Sequence, residues 1–230
     1  MLGFDYGDNA ALYRRSAPDS TASGAAAAAR RDDVAMADSR QARVLRTIVL
    51  VGLMGVGTTC IGRRLAQRLD LGFVDADREI EEAAGCSISE IFARHGEQAF
   101  RDGERRVILR LLDNPAHVLS TGGGAFMDPQ TRTRIRERAI SVWLRADLDL
   151  MLKRVSRRND RPLLQGTDPR AKLQELTAAR YPMYAEADIT VDSVDGPPEV
   201  TLERVVDALA EHLRRRPTEA GAAGAKQAAL

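Results

Sequence analysis

Short apolar runs alternate along this chain with amphipathic stretches at helical spacing. The runs are rich in β-branched residues and cover positions 44–53, 72–77, 117–124, 140–146 and 188–192. Unbroken apolar strands separated by helical segments are typical of a parallel sheet, because the crossover helices bury both of its faces. The pattern predicts an α/β fold with three α/β/α layers around a five-stranded parallel sheet.

Two of the helical stretches can be read in more detail. The segment IGRRLAQRLD follows the first strand, and SISEIFARHG follows the second. In the latter, Ser87 and Glu90 have the spacing of a capping box, and Gly96 is suited to ending a helix. We therefore expect helices on both sides of the second strand.

The two ends of the chain lack the pattern of a folded domain. Residues 1–43 are rich in Ala, Ser, Asp and Arg, and residues 215–230 consist mostly of small residues. Such segments bury too little apolar surface to offset the entropy that ordering costs. The sequence predicts a flexible leader at 1–43, a folded unit at 44–214 and a flexible tail at 215–230.

Composition excludes several classes of partner. Lys and Arg number 34 against 33 for Asp and Glu, so bulk charge does not favour nucleic acid or a membrane surface. Neither a signal sequence nor an apolar run long enough to cross a bilayer is present. Cys60 and Cys86 form no CxxC pair, which favours a reducing cytoplasm. We expect a cytoplasmic protein that acts on small molecules, and a monomer.

A glycine-rich loop follows the first strand and precedes a helical stretch. The segment GLMGVGTTC matches the phosphate-loop pattern G-x-x-x-x-G-K-[ST] from Gly52 to Thr59 except at one position. Its glycines, which include Gly55 and Gly57, allow backbone N–H groups to point at phosphate oxygens beside a helix N-terminus. Thr59 is then the hydroxyl expected to bind Mg²⁺.

The exception is Thr58, which stands where the pattern has lysine. A glycine-bearing turn between a strand and a helix is the alternative interpretation of this segment. Cys60, on the first turn of the predicted helix, is interpreted as a packing residue rather than a nucleophile.

The sequence after the second strand, FVDADREIEEAAGCSISEIFARHGEQAFRDGERRVI, resembles the shikimate kinase family. That family has a D-x-D at the end of its second strand, then I-E, G-x-x-I-x-x-I-F, G-E-x-x-F-R and a following glutamate. The matching residues are Asp75, Asp77, Ile80, Glu81, Gly85, Ile88, Ile91, Phe92, Gly96, Glu97, Phe100, Arg101 and Glu104.

The pattern makes chemical sense for an acidic, sugar-like substrate. Such a substrate needs a cation for its carboxylate and a carboxylate that orients or deprotonates its hydroxyl groups. Arg101 and Asp77 supply these two groups. Asp75, two residues earlier and assigned to the same side of the strand end, is expected to contact the metal through water.

Later motifs extend the resemblance to about residue 192. The third strand ends in STGGGA, and the resemblance implies that Gly122, Gly123 and Gly124 line the substrate pocket. Arg180, in ARYPMYAEAD, occupies the place of the family arginine that binds the substrate carboxylate beside Arg101. The family's late polar contact to adenine, expected near 195–199, has no recognisable counterpart.

An arginine-rich stretch, KRVSRRNDRPLLQGTD, is of the kind that closes over nucleotide phosphates. By resemblance, Arg161 covers the transferring phosphate and stabilises its charge, and Arg154 lies against the adenine. The lid is expected at 155–168 and the substrate-binding helices at 78–112. The expected nucleotide contacts are Gly52, Gly55, Val56, Gly57, Thr58, Thr59, Cys60, Arg154 and Arg161.

The resemblance implies transfer of the γ-phosphoryl group of ATP to the 3-hydroxyl of shikimate, with Mg²⁺, in chorismate and aromatic amino acid synthesis. Asp77 and Arg161 are the expected catalytic residues. Two alternatives stay open: a kinase of the same fold that acts on another small polyol or nucleotide, and a protein that binds nucleotide or shikimate without turnover. Thr58 is the feature that favours the second.

The leader tests the predicted domain boundary. Deletion of residues 1–40 is expected to leave the melting temperature unchanged, because this segment has no apolar periodicity with which to pack on a core. Thermal unfolding followed by circular dichroism measures the difference between the two proteins. A melting temperature lowered by many degrees would show that the leader docks on the folded unit.

Overall fold

The structure, a computed structural model, describes residues 46–156 and 168–215. Its centre is a parallel sheet with strand order β2-β3-β1-β4-β5. The strands are β1 (Thr47–Val51), β2 (Gly72–Asp75), β3 (His117–Ser120), β4 (Ala139–Arg145) and β5 (Ile189–Asp192). The predicted five-stranded parallel sheet is confirmed, and each strand starts or ends within a few residues of the predicted run.

Helices cover both faces of this sheet. They are α1 (Thr58–Leu69), α2 (Ala76–Ala84), α3 (Ile88–Leu111), α4 (Pro129–Arg138), α5 (Leu148–Val155), α6 (Pro169–Tyr184) and α7 (Pro198–Arg215), with a short 3-10 helix at Ala125–Met127. The chain moves from β1 outward to β2 and then back across the sheet to β5. Right-handed crossovers therefore place α1 on one face and the helices between β2 and β5 on the other. Helix α7 packs beside α1, which completes the three predicted layers.

The buried strands explain why the sequence shows unbroken apolar runs. All five residues of β1 are buried, and only the last residue of β4 is exposed. The edge strand β5 instead alternates between buried and exposed residues, because only one of its two faces packs against the core. In the described part of the chain, none of the helices has the length and apolar character that crossing a membrane requires.

The capping box predicted at the start of α3 is present. Ser87 accepts a hydrogen bond from the backbone N–H of Glu90, and the Glu90 carboxylate accepts one from the N–H of Ser87. Gly96 breaks the helix with a φ of 78°, but a second helical segment continues directly to Leu111. The predicted helix stop is thus a break between two consecutive helical segments, at a backbone conformation that glycine adopts without strain.

One local prediction about the second strand is wrong. The strand ends at Asp75, and Asp77 lies in the first turn of α2 instead of on the strand. Asp75 itself causes the change, because its side chain accepts a hydrogen bond from the backbone N–H of Asp77 at 3.2 Å and caps the helix. The two aspartates therefore do not share one side of an extended strand, although both line the cavity described below.

The strand order determines where the functional residues meet. Parallel strands end at the same edge of the sheet, and β3 lies between β1 and β2. In the register, Asp75 pairs with Ser120, and Ser120 pairs with Leu50 of β1. The phosphate loop after β1, the aspartates after β2 and the glycines after β3 thus emerge side by side, where ligands bind in open α/β sheets.

Candidate active site

A cavity of about 480 Å³ opens at this edge of the sheet. Every site residue that the sequence predicts within the described ranges lines it. These residues are Gly52, Gly55, Val56, Gly57, Thr58, Thr59, Cys60, Asp75, Asp77, Arg101, Gly122, Gly123, Gly124, Arg154 and Arg180. Arg161 and most of the predicted lid lie outside the described residues.

The phosphate loop turns tightly into α1. The backbone N–H of Val56 donates to the carbonyl of Leu53 at 3.3 Å, and Gly57 takes a φ of 101° that other residues rarely adopt. Gly57 begins α1 without a side-chain cap, and the first turn carries no acidic residue. The N–H groups at this end of α1 are therefore suited to bind an anion.

Hydroxyl and carboxylate oxygens converge beside the loop. Thr59 donates through Oγ1 to Oδ2 of Asp75 at 3.0 Å, and Ser120 Oγ lies 3.4 Å from the same hydroxyl. These are the hard oxygen ligands that Mg²⁺ prefers, and Mg²⁺ commonly uses few protein ligands together with phosphate and water. Among the described residues there is no cluster of three or more His, Cys, Asp or Glu side chains that could hold a metal by themselves.

The opposite side of the cavity contains a buried ion pair on α3. Arg101 Nη1 lies 2.6 Å from Glu104 Oε2, and the Glu104 side chain is only 4% exposed. Burial raises the pKa of Glu104 above its ordinary value of 4.5, although the guanidinium opposes the shift. Burial also acts to lower the pKa of Arg101, but the carboxylates of Glu104 and Glu97 together outweigh it and the net shift is upward. Glu104 therefore favours the charged form of Arg101 and fixes the position of its guanidinium.

The glycines after β3 make room for these side chains. A Cβ atom on Gly124 would lie 2.5 Å from Cζ of Arg101, so only glycine allows the guanidinium this position. On the other side, Arg180 Nη1 donates to the carbonyl of Gly123 at 2.9 Å, and the buried Tyr184 hydroxyl donates to the same oxygen. Burial raises the pKa of Tyr184, which keeps this donor protonated.

Asp77 faces the same glycine turn. A Cβ atom on Gly122 would lie 2.8 Å from Asp77 Oδ1 and 3.3 Å from Glu104 Oε1. The Asp77 carboxylate therefore lies close to Glu104, whose pKa it acts to raise. The structure brings Asp77, Arg101 and Arg180 together around one turn, although they come from three different helices.

Cys60 corrects one interpretation of the sequence. The residue is exposed at the cavity rim and is not packed in the core. It occupies the third position of α1, and Arg64, one turn later, places Nη1 3.1 Å from its Sγ atom. Helical periodicity turns this position away from the sheet, whereas the buried positions of α1 begin with Ile61.

Several cavity residues had no predicted role. Glu104 matched a family motif, yet its link to Arg101 depends on the i, i+3 geometry of α3. Gly196 and Pro198 line the cavity within 195–199, where the late adenine contact was expected, and Ser193 lines it just before this range. Ser193 and Gly196 lie in the connection from β5 to α7, and Pro198 is the first residue of α7. Only the position of this segment beside the phosphate loop indicates a role for them.

Comparisons with known proteins agree with this geometry. The family model described as shikimate kinase matches residues 54–211. The chain is 61% identical over 171 residues to a shikimate kinase of Paramagnetospirillum magneticum, covering 74% of this chain and 88% of that one. It is also 61% identical over 164 residues to a shikimate kinase of Caulobacter vibrioides, covering 71% and 82%.

The chain belongs to the shikimate kinase family. Among solved structures, the Acinetobacter baumannii shikimate kinase in complex with shikimate matches with a TM-score of 0.71 and 38% identity, covering 74% of this chain and 95% of that one. The Bacteroides thetaiotaomicron shikimate kinase matches with a TM-score of 0.68 and 27% identity, covering 72% and 98%. The predicted P-loop kinase fold is therefore confirmed, and members of this family are ATP-dependent phosphotransferases.

The buried Glu104 should leave a signature in the pH dependence of stability. Because its pKa is raised in the folded protein, the folded state binds this proton more tightly than the unfolded chain. The contribution of Glu104 to the free energy of unfolding is fully present at pH values below the ordinary pKa of the carboxyl group. It is lost as the pH rises through the raised pKa of the folded state. The free energy of unfolding of the native protein, relative to Glu104→Gln, should therefore fall over this window.

Urea unfolding of both proteins at a series of pH values measures this difference, which isolates residue 104 because every other titrating group is common to the two chains. A difference that stays constant or grows with pH would contradict the burial of an ionisable Glu104.

Proposed function

We propose that this chain is a shikimate kinase that transfers the γ-phosphoryl group of ATP to the 3-hydroxyl of shikimate. The observation that carries the proposal is the shared cavity, which has a phosphate loop at one end and Asp77, Arg101 and Arg180 at the other. A donor and an acceptor held in one cavity meet the first requirement of phosphoryl transfer, which is positioning. The product belongs to chorismate and aromatic amino acid synthesis.

The acceptor end suits a small hydroxylated acid. Arg101 and Arg180 flank the Gly122–Gly124 turn, where two guanidinium groups can bind one carboxylate through charge-assisted hydrogen bonds. Asp77 is the carboxylate that orients the acceptor hydroxyl and accepts its proton. Glu104 keeps the Arg101 guanidinium aimed at the cavity.

The donor end suits a nucleotide. The N–H groups at the start of α1 bind phosphate oxygens, and the connection from β5 to α7 brings Gly196 and Pro198 to the position proposed for the base. Mg²⁺, when bound, neutralises phosphate charge, and Thr59 with Asp75 would hold it. The roles of Arg154 at the adenine and of Arg161 at the transferring phosphate stay predictions.

Thr58 supports a second candidate function, binding of nucleotide and shikimate without turnover. A lysine in this loop reaches the β- and γ-phosphates, whereas threonine offers one short neutral hydroxyl. A coupled assay of ADP release with shikimate and Mg·ATP separates the two functions. Release that depends on shikimate supports the kinase, and binding of both ligands without release supports the binding protein. A panel of other small polyols as acceptors tests the assignment of shikimate.

Two further expectations come with this proposal. An enzyme of biosynthesis with free thiols at Cys60 and Cys86 is consistent with the reducing cytoplasm. All the predicted site residues within the described ranges line one cavity of a single chain, and we therefore expect an active monomer. Size-exclusion chromatography with light scattering measures the oligomeric state.

The paired arginines provide a direct test of the acceptor. Replacing Arg101 or Arg180 by alanine should weaken shikimate binding by about 2 to 4 kcal/mol, because the carboxylate loses a charge-assisted partner. Affinity for ATP should barely change. Isothermal titration calorimetry measures both affinities.

Arg105→Ala is a matched control for the arginine variants. Arg105 lies on the same helix but pairs with Asp102 and Asp128 away from the cavity, so its loss should leave shikimate affinity unchanged. Unaltered shikimate affinity in both cavity variants would refute the substrate assignment.

The loop threonine is expected to limit catalysis. Thr58→Lys should raise the turnover number by about tenfold or more, because one charge contact to the transition state contributes about 3 to 4 kcal/mol. Shikimate affinity should change less. Steady-state kinetics with saturating Mg·ATP measures the change.

Thr58→Met matches the length of lysine without its charge and should not raise the turnover number. Equal or lower turnover in Thr58→Lys would show that the native loop already has the charge that catalysis needs.

A further inference from the structure

Arg154 forms hydrogen bonds with the backbone of the phosphate loop. Its Nη1 atom lies 3.2 Å from the carbonyl oxygens of both Gly55 and Val56, and its Nη2 atom lies 2.6 Å from the carbonyl of Val194. The guanidinium is therefore anchored by backbone of the loop itself and of the connection after β5. This arrangement gives Arg154 a function that does not depend on contact with a base.

Ser193 completes this set of contacts. Its hydroxyl donates to the carbonyl of Val56 at 3.0 Å and accepts from Arg154 Nη1 at 2.9 Å. The residue is 6% exposed, and its own N–H donates to the carbonyl of Arg145 at 2.7 Å. Ser193 thus connects the end of β4 to the phosphate loop through two hydrogen bonds.

These bonds orient the loop peptide that precedes α1. Both acceptor sites of the Val56 carbonyl are used, one by Arg154 and one by Ser193. The described chain contains no cis peptide bond, and in a trans peptide the carbonyl and the following N–H point in opposite directions. The N–H of Gly57 consequently points away from Arg154 and Ser193.

The hydrogen bonds of Arg154 direct its guanidinium at the loop, while the carboxylate of Asp195 lies near enough that Arg154 helps to lower its pKa. Within the described residues, the hydrogen-bond acceptors of Arg154 are three backbone carbonyls and one hydroxyl, all uncharged. Arg101, by comparison, pairs with Glu97 and Glu104. The guanidinium of Arg154 therefore offsets the negative ends of two loop peptide dipoles, and Thr58 contributes no charge of its own.

We propose that Arg154 and Ser193 are positioning residues that hold the phosphate loop in its anion-binding conformation, and that Arg154 supplies the loop's positive charge in the absence of a lysine at position 58. This inference rests on the proposed binding of a nucleotide by the loop. It concerns nucleotide affinity, whereas the prediction for Thr58→Lys above concerns the turnover number. It also distinguishes Arg154 from a residue that only stacks on the adenine.

A comparison of two backgrounds tests the proposal. Arg154→Met removes the charge and the donors, and calorimetry with Mg·ADP should show affinity lower by about tenfold to a hundredfold in the native Thr58 background. In the Thr58→Lys background the same change should cost about threefold or less, because lysine then supplies the charge. Affinity for adenosine, which has no phosphate, should change little in either background.

Ser193 provides an independent arm that leaves the charge in place. Ser193→Ala should weaken Mg·ADP binding about threefold to tenfold and speed hydrogen exchange at the Gly57 amide, while Ser193→Thr, which keeps the hydroxyl, should restore both. Arg68→Met is the control, because Arg68 lies on α1 but pairs with Glu203 of α7 instead of the loop. Its affinity for Mg·ADP should stay within about twofold of native.

Equal losses of ADP affinity in the two backgrounds, or equal losses for ADP and adenosine, would overturn the proposal and indicate that Arg154 serves the base alone. Unchanged loop exchange in Ser193→Ala would overturn the role of Ser193. Every arm measures binding without shikimate, so a failure of shikimate turnover would refute the proposed function and leave this inference standing.

Discussion

The parallel sheet, with all strand ends at one edge, is the constraint on which the rest of the structure depends. Loops after β1, β2 and β3 emerge side by side because β3 lies between the other two strands. The hydroxyl of Thr59 thereby reaches Asp75, although 16 positions separate them in the chain. A sheet with mixed strand directions would place these groups at opposite edges and leave no shared cavity.

Charge is distributed unevenly around that cavity. The acceptor side holds Arg101 against the buried Glu104, and removal of Arg101 would leave the buried carboxylate poorly compensated. The donor side relies on backbone N–H groups and on Arg154, whose acceptors in the described residues are all uncharged. Thr58 lies in the phosphate loop, whereas Arg101 and Arg180, proposed to bind the acceptor, lie around the Gly122–Gly124 turn.

The pattern of apolar and polar residues predicts much of the fold from the sequence. The apolar runs predict the five strands because strands buried on both faces show no polar alternation, and the capping box at Ser87 is a local signal confirmed by the structure. The prediction for Asp77 was wrong because the Asp75 side chain caps a helix that starts at Ala76, whereas the predicted strand continued to Asp77. Cys60 was misjudged because burial on α1 depends on which face meets the sheet.

The sequence by itself determined the family, the sheet and the candidate site residues that line the cavity within the described ranges, since these follow from motifs and from periodicity within short segments. The tertiary structure alone decided which of them touch. Tyr184 on the Gly123 carbonyl, and Ser193 with Arg154 on the Val56 carbonyl, have partners on elements that folding brings together. Those contacts depend on strand order and helix rotation, which a linear motif does not encode, because distances between side chains are set by packing and not by spacing along the chain.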